Sequence, residues 1–470
     1  MTREQASRAV GEAAGAFMRQ VAAALEAPSA HALPWRERAP ADAAHAGLAN
    51  VNNSCFLNAV LQALVALAPV RALLQALRDA RAPPSLLLES APVCAAFLDF
   101  MADLPATNAH AHGGWVRVGA RASGEESSER RSSGRRGRKE GGSGFGFGGG
   151  AQLPPTLRPR SFDESLAKFR AGFGSSQQDA QELLTFLLDG LHSELAALQA
   201  GTQPDRPQAA ADGGGGGGGQ SAAGDGDGGN AQRGEGGRDD CGWEEVGSKG
   251  RSLGETRRVG GDVVADNGGG AVGSKAAFTS AVAAILQGEL LSTIRTQGAK
   301  ASTTVQPFTL LTLDVPEAGA ATIEAMVVAS AESEEIEYRV EGAAHPTVAN
   351  KSVTLRALPP VLVLHLNRFA FGALGGAKRS APVRLPAELR PPAAALSSGK
   401  KGQRAAGVYE LKAVVCHRGS SLGSGHYVAD VRTTHGGWLR CDDARIDEVP
   451  QAKVLAEDAA QAYLLFYERR

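Results

Sequence analysis

Two long glycine-rich windows set the first limit on how this chain can fold. Of its 59 glycines, 38 lie in residues 113–150 and 201–275, and the second window includes a run of seven at 213–219. Such segments cannot bury enough apolar surface to offset the entropy cost of ordering, so we predict that both are disordered inserts. About 360 residues remain as folding material, which is enough for a large core in one or two lobes.

Charge and cysteine content exclude several classes of protein. The net charge is −1, from 49 basic and 50 acidic residues, so no net field favours nucleic acid, a membrane or a polyanion. Five scattered cysteines with no CxxC pair argue against a disulfide framework and a structural zinc site, and they fit a reducing compartment. The chain has no signal-peptide core and no apolar run of the roughly 18 residues that a membrane helix needs. We expect a cytoplasmic protein whose basic patch at 130–139 also permits entry into the nucleus.

The order of the predicted elements indicates an α+β protein. We interpret residues 1–46 as an exposed N-terminal helix followed by a connector rich in proline and alanine. A strongly apolar helix is predicted from Cys55, and a second near 180–199 carries a leucine stripe from 183 to 191. After residue 276 the pattern changes to β-rich runs, of which PPVLVLHL and AYLLFY are apolar enough for central strands. Helices first and strands afterwards predict an antiparallel sheet beside a helical part.

One cysteine, one histidine and a pair of acids are the candidate chemical groups. Cys55 lies where a helix begins, and a helix N-terminus stabilises a thiolate through its dipole and free N–H groups. His426 follows a glycine-rich loop at the start of a strand, and Asp442 and Asp443 come 16 and 17 residues later, after one hairpin turn. Two neighbouring antiparallel strands can bring these side chains together. Nucleophile, base and orienting acid form the constellation of triad enzymes.

Each of these residues also has a purely structural interpretation. Cys55 alone could be a small buried hydrophobe, and His426 alone a hydrogen-bonded structural histidine. His417 is the rival base, but its apolar neighbours VVCH favour a role in packing or in supporting the loop. His365, inside VLVLHLNRF, is interpreted as a core histidine, because no cysteine or histidine partner lies at metal-ligand spacing.

Four segments of the chain carry the motifs of a known enzyme family. GLANVNNSCFLNAVLQAL is similar to the cysteine box of the ubiquitin-specific proteases, and SGHYVADV with GWLRCDDARIDEV and AYLLFYER is similar to their histidine box. SSQQDAQELLTFLLDGLH resembles the segment between the boxes, and LPPVLVLHLNRF resembles the strand before the histidine box. The motifs follow the family's order between residues 47 and 469. The resemblance implies a papain-like cysteine protease fold, with a helical thumb and an antiparallel β palm and fingers, as one catalytic domain over 47–470.

The resemblance also implies the catalytic roles. Cys55 matches the family nucleophile, His426 matches its general base, and Asp442 matches the acid that orients the imidazole. Asn50 matches the side-chain donor to the oxyanion, and Asp443 matches a second acid that assists. Asn58 and Gln62, one and two turns past the nucleophile, match family positions too, but are equally well explained as polar residues that pack the helix.

The substrate that the resemblance implies is ubiquitin. Asp179 matches the acid that grips ubiquitin's arginine-bearing tail. Gly425 and the loop 420–424 are expected to form the wall of the channel for its terminal Gly-Gly, and Tyr427 is a further candidate for substrate binding. The implied reaction is hydrolysis of the isopeptide or peptide bond at that C-terminal glycine through a thioester. We expect a monomer that acts on ubiquitin and ubiquitinated proteins, with no cofactor, no metal and no membrane partner, and with no nucleic acid required.

The chain departs from the family pattern at two informative places. Asn52 stands where glycine is usual, and asparagine is the residue that next best tolerates a left-handed backbone. The two CxxC pairs that many members carry in the fingers are absent, so we expect packing alone to hold the fingers together. Two alternatives stay open: a protease for another ubiquitin-like modifier, and a catalytically silent ubiquitin-binding scaffold in which Asn52 misplaces the oxyanion loop.

Overall fold

The computed structural model describes residues 1–26, 35, 45–104, 156–173, 178–201, 278–298, 300–339, 345–372, 375–397, 407–421, 424–457 and 459–470. Both predicted inserts, apart from residue 201, and nearly all of the connector after the first helix lie outside these residues. The prediction of disorder for the inserts therefore stays a prediction.

Eight α-helices are found in the described part of the chain: α1 (Arg3–Glu26), α2 (Cys55–Val65), α3 (Ala68–Asp79), α4 (Pro92–Asp103), α5 (Asp163–Phe173), α6 (Ala180–Ala200), α7 (Ala281–Leu286) and α8 (Ile323–Ser330). The predicted helix at Cys55 is confirmed, and the leucine stripe of α6 is buried throughout. Among these helices none alone is long and apolar enough to cross a membrane. The pair α2 and α3, bent by 87°, meets that test jointly, by length and composition only.

The first helix is part of the core, so the prediction that it is exposed is wrong. α1 packs against α3, α6 and α7. The residues that face them are fully buried and recur every three or four positions, as one face of a helix does: Ala6, Val10, Ala14, Phe17 and Val21. Two of these five residues are small alanines, which weaken the hydrophobic signal of that face although they allow close packing.

The strands, in chain order, are β1 (Gly288–Thr296), β2 (Ser302–Phe308), β3 (Leu310–Asp314), β4 (Ala321–Thr322), β5 (Glu334–Tyr338), β6 (Thr347–Ala357), β7 (Val361–Asn367), β8 (Phe369–Gly372), β9 (Gly375–Lys378), β10 (Val383–Arg384), β11 (Glu388–Leu389), β12 (Tyr409–Ser421), β13 (Ser424–Arg432), β14 (Trp438–Asp442), β15 (Arg445–Glu448) and β16 (Ala462–Arg469). The main sheet has the order β15-β14-β13-β12-β16-β7-β3, with β11 paired to β12. The predicted central strands, β7 and β16, lie inside this sheet.

The main sheet departs from the predicted antiparallel arrangement at one edge. β3 runs parallel to β7, whereas the other strand pairs of the main sheet are antiparallel. Parallel neighbours need a long crossover connection, and here β4, α8, β5 and β6 supply it. The same excursion contributes β5 and β6 to a second, antiparallel sheet of four strands in the order β2-β1-β6-β5.

A buried arginine joins three segments of the main sheet. Arg368, directly after β7, is fully buried and donates hydrogen bonds to the backbone oxygens of Ala462 and Ala459 at 2.6 Å each. It also donates to the oxygens of Arg379 and Ala381 at 3.0 Å each. Burial lowers the pKa of this guanidinium to about 10, so it stays charged near neutral pH. Arg368 thereby ties the end of β7 to the segment between β9 and β10 and to the start of β16.

Candidate active site

The loop before α2 brings Cys55 to a helix N-terminus. Ser54 is the N-cap position of α2, and its backbone N–H donates to Asn50 Oδ1 at 2.8 Å. The hydroxyl of Ser54 in turn accepts from the N–H of Val51 at 3.0 Å. Cys55 itself is buried, with 3 % of its surface exposed. Side chains of the loop therefore satisfy its own backbone donors and leave the free N–H groups of the helix beside the thiol.

Two consecutive residues of this loop are left-handed. Asn52 has φ of 54° and Asn53 has φ of 58°, so Asn52 adopts the backbone conformation expected where the family carries glycine. The backbone oxygen of Asn52 accepts a hydrogen bond of 2.6 Å from Arg170 Nη2 on α5. Arg170 was not predicted as a site residue. It also lines a cavity of about 220 Å³ next to the loop, together with Arg158 and Asp163.

The hairpin of β13 and β14 brings His426 to Asp442. These strands pair antiparallel, and His426 Nε2 lies 2.6 Å from Asp442 Oδ1. The second oxygen of Asp442 lies 3.5 Å from Arg418 Nη1, on the neighbouring strand β12. The predicted approach of the histidine and the acid is therefore observed.

The electrostatics of the pair favour its charged form. The hydrogen bond to Asp442, and then the interaction with the Cys55 thiol, raises the pKa of His426 to about 10. In return, His426 holds the pKa of the Asp442 carboxyl below its usual value. Because Nε2 faces Asp442, Nδ1 is the ring nitrogen left to serve the thiol. The site therefore holds an imidazolium between a carboxylate and a sulfur.

Asp443 joins the cysteine loop to the histidine hairpin. Its Oδ2 accepts from Asn50 Nδ2 and its Oδ1 accepts from Asn58 Nδ2, each at 2.8 Å. Its backbone oxygen accepts from the N–H of Leu48 at 2.8 Å, and His426 Nε2 lies 3.9 Å from its carboxylate. Asp443 has φ of 50°, a left-handed conformation that lets one residue reach both sides of the site. Asn58 thus contacts the site through Asp443. The sequence alone left open whether Asn58 belongs to the site or only packs its helix.

His426, Asp442 and Asp443 form the one group in the described ranges that could hold a metal ion. Ligand atoms of His426, Asp442 and Asp443 lie within 4.8 Å of one another. The atoms concerned already exchange the hydrogen bonds given above, both between the strands and to the cysteine loop. Hydrogen bonding within the cluster accounts for its geometry.

Asp179 lies at the N-terminus of α6, as its N-cap residue. Its Oδ1 accepts from the N–H of Gln181 at 2.7 Å, and its Oδ2 accepts from the hydroxyl of Tyr463 at 2.6 Å. Burial raises the pKa of its carboxyl. Tyr427 is buried near both Asp179 and Cys55: the pKa of its phenol is raised first by burial and then by the Asp179 charge, with Cys55 contributing.

Gly425 lies against a buried histidine. A Cβ at Gly425 would come within 2.3 Å of His417 Nε2, so only glycine fits without displacing that ring. His417 is fully buried, with its ring centroid 4.7 Å from that of Tyr427, in agreement with the predicted packing role. His365 is also buried, and its Nδ1 lies 3.2 Å from Thr312 Oγ1. Gly425, His417 and Tyr427 form one packed unit beside His426.

One family of hydrolases matches most of the chain. The family model described as ubiquitin carboxyl-terminal hydrolase matches residues 46–467. The chain therefore belongs to the ubiquitin carboxyl-terminal hydrolase family.

Similar curated proteins carry the same family name. "Ubiquitin carboxyl-terminal hydrolase 24" of Arabidopsis thaliana is 30 % identical, over 90 % of this chain and 64 % of its own length. "Ubiquitin carboxyl-terminal hydrolase 10-B" of Xenopus laevis is 29 % identical, over 90 % of this chain and 47 % of its own. "Ubiquitin carboxyl-terminal hydrolase 10" of Gallus gallus is 28 % identical, over 90 % of this chain and 48 % of its own length. The fragments VQPFTLLTLDV and LPPVLVLHL predict a likeness to the type-10 enzymes, and these matches confirm it. The chain spans less than two thirds of each of these relatives.

Solved structures with the same fold include two of a SAGA deubiquitinating module. One, the Ubp8/Sgf11/Sus1/Sgf73 DUB module bound to ubiquitin aldehyde, matches with a TM-score of 0.54 and 18 % identity, over 92 % of this chain and 70 % of that chain. The other, a form of the module with a substituted Ubp8 bound to monoubiquitin, matches with a TM-score of 0.55 and 18 % identity over the same shares. At this identity the likeness supports the fold, which is α+β of the predicted ubiquitin-specific protease type.

Proposed function

We propose that this chain is a cysteine-type deubiquitinating protease that cleaves the isopeptide or peptide bond after the C-terminal glycine of ubiquitin. The observation that carries the proposal is the alignment of His426 with Asp442 at 2.6 Å next to Cys55 at the start of α2. Its family membership and the ubiquitin named with its structural relatives support the choice of substrate.

The proposed reaction starts from the Cys55 thiolate beside the protonated His426, the state in which the thiol proton has moved to His426 Nδ1. The thiolate attacks the carbonyl carbon of ubiquitin's last glycine and forms a tetrahedral oxyanion. The proposed donors to that oxyanion are the backbone N–H of Cys55 and one N–H of the Asn50 side-chain amide. The other N–H of that amide is bonded to Asp443. Asp442 holds the ring in the required orientation and stabilises its positive charge.

Breakdown of the intermediate completes the proposed cycle. The C–N bond breaks, the leaving lysine amine takes the proton from His426, and ubiquitin remains as a thioester on Cys55. Water then attacks the thioester carbonyl and gives a proton to His426. The C–S bond breaks, Cys55 returns as a thiolate beside the protonated His426, and ubiquitin leaves as a carboxylic acid that loses its proton to solvent.

Substrate recognition is assigned to groups beside this site. Asp179, which lies close to Tyr427, is the proposed partner for the arginine-bearing tail of ubiquitin. Gly425 is the proposed wall of the Gly-Gly channel, where its backbone packs against the His417 ring and carries no side chain. The remaining expectations belong to the same proposal: a monomer that acts without cofactor or metal, in the cytoplasm and nucleus, with ubiquitin and ubiquitinated proteins as partners.

The proposal is tested with ubiquitin that carries a thiol-reactive group at its C-terminus. We expect intact-mass spectrometry to find one adduct, which Cys55→Ala abolishes and Cys94→Ala retains, because Cys94 is fully buried and burial raises the pKa of its thiol. Absence of an adduct while ubiquitin still binds would favour the silent scaffold. Reaction only with probes built on related modifiers would favour the other class of protease.

A further inference from the structure

A lysine outside the proposed machinery makes three hydrogen bonds beside the histidine loop. Lys378, at the end of β9, places Nζ 2.6 Å from the backbone oxygen of His417 and 2.9 Å from that of Gly419. The third contact, of 3.2 Å, goes to His417 Nδ1. An ammonium group has three N–H donors, so every donor of Lys378 has an acceptor on this one stretch of β12.

These acceptors lie where β12 turns back toward His426. Arg418, between the two bonded carbonyls, is the register partner of His426 in the β12–β13 pair. The ring of His417 lies against the Cα of Gly425, the residue just before His426. A shift of residues 417–419 would therefore displace His426 through the strand register and Gly425 through direct contact.

We propose that Lys378 is a positioning residue for hydrolysis: its ammonium anchors residues 417–419 and thereby fixes Gly425 and His426 against Cys55. This inference rests on the proposed function, because it concerns the same reaction. Lys378 lies outside the four sequence motifs, on a short hairpin of β8 and β9. It touches neither the reacting atoms nor the proposed ubiquitin contacts, so its effect passes through the strand that it holds.

The charge of this anchor is expected to change within the working pH range. Burial, followed by the nearby Arg368 guanidinium, lowers the pKa of Lys378 to about 8, while Cys416 acts in the opposite direction. The His417 imidazole also faces Lys378, and burial lowers its pKa to about 4. His417 is therefore a neutral acceptor for the ammonium. A deprotonated Lys378 keeps two donors, so the anchor weakens above pH 8. Its folded pKa lies below the ordinary 10.5, hence the charged form opposes folding below about pH 8, and this effect disappears toward pH 10.5.

The test compares Lys378→Met and Lys378→Arg with the wild type. Lys412→Met is the matched control, because Lys412 lies on β12 too but pairs with Glu410. With a fluorogenic ubiquitin substrate, we expect Lys378→Met to lower kcat about tenfold at pH 7 with little change in KM. The difference in kcat between Lys378→Met and the wild type should shrink above pH 8, because the wild-type lysine then loses its charge and its third donor. Lys378→Arg should keep most of the activity and lack the transition near pH 8, because guanidinium does not titrate there.

Hydrogen exchange of the peptide that spans 417–426 gives a readout that needs no turnover. We expect faster exchange in Lys378→Met at pH 7 and wild-type exchange in Lys412→Met. A wild type that fails to cleave ubiquitin would overturn the proposed function. An active wild type with unchanged kcat and exchange in Lys378→Met would overturn the role of Lys378. A kcat loss equal at every pH, with a lowered Tm, would overturn it as well, because that is the signature of a merely structural residue.

Discussion

The two sides of the site are built by different means. His426 and Asp442 lie on paired strands whose backbone ladders fix them in a buried sheet. Cys55 follows a loop with two left-handed residues that is held by side chains, including Arg170 on another helix. A ladder distributes its constraint over many bonds, whereas residues 50–54 of the loop are held by a few single side-chain bonds. We infer that the histidine side sets the chemistry and that the cysteine side is the more easily misaligned.

The largest effect is expected from breaking the histidine side. Asp442→Asn removes the first cause of the raised His426 pKa, so the alkaline limb of the kcat profile should move from about pH 10 toward neutrality. The loss of kcat should reach about 10³- to 10⁴-fold, as for an orienting acid in a triad. A pH–rate profile of both proteins measures the shift.

The same change has a stability signature with a defined sign. The folded pKa of His426 lies above its ordinary 6.5, so its protonated form stabilises the fold fully below pH 6.5 and the contribution is lost as pH rises through about 10. The Tm difference between wild type and Asp442→Asn should therefore shrink as pH rises from 7 to 10. An unmoved alkaline limb would show that Asp442 does not control His426.

An intermediate effect is expected where the two sides meet. Asn50→Ala removes the proposed oxyanion donor and the bond to Asp443, and should lower kcat by about 10²- to 10³-fold with KM little changed. Asn53→Gly is the control, since glycine accepts the left-handed backbone of that position. Steady-state kinetics on a fluorogenic ubiquitin substrate separate the outcomes. Equal losses in both variants would mean that loop shape, and not the Asn50 amide, carries the effect.

The smallest effect is expected from loosening the cysteine loop. Arg170→Met removes the bond to the Asn52 oxygen and should lower kcat about three- to tenfold, while Lys168→Met, on the same helix and paired with Glu164, should not. Asn52→Gly added to Arg170→Met should recover part of the loss, because the left-handed backbone costs glycine nothing, whereas asparagine pays part of the roughly 1–2 kcal/mol that it costs most other residues. The kinetic double-mutant cycle measures this coupling. Full additivity would mean that Arg170 acts elsewhere.

Sequence predicted best the residues that lie in contiguous, strongly patterned segments. The helix at Cys55, the strands of His426 and Asp442, and the leucine face of α6 follow from local periodicity and one hairpin. Arg170 and Lys378 were missed, because each acts through a backbone oxygen far away in sequence and neither belongs to a motif. The parallel pairing of β3 with β7 was not predicted for a related reason: a long crossover connection, and not the local pattern, determines which strand lies beside β3.

The packing of α1 has a practical consequence for producing the protein. The family match begins at residue 46, so a chain shortened to that boundary would lack the whole helix. Its removal would uncover the apolar face of α3, α6 and α7 that Val10, Phe17 and Val21 now cover. Large exposed apolar surfaces drive self-association in water. Expression designs that keep residues 1–26 should give soluble material where the trimmed chain aggregates.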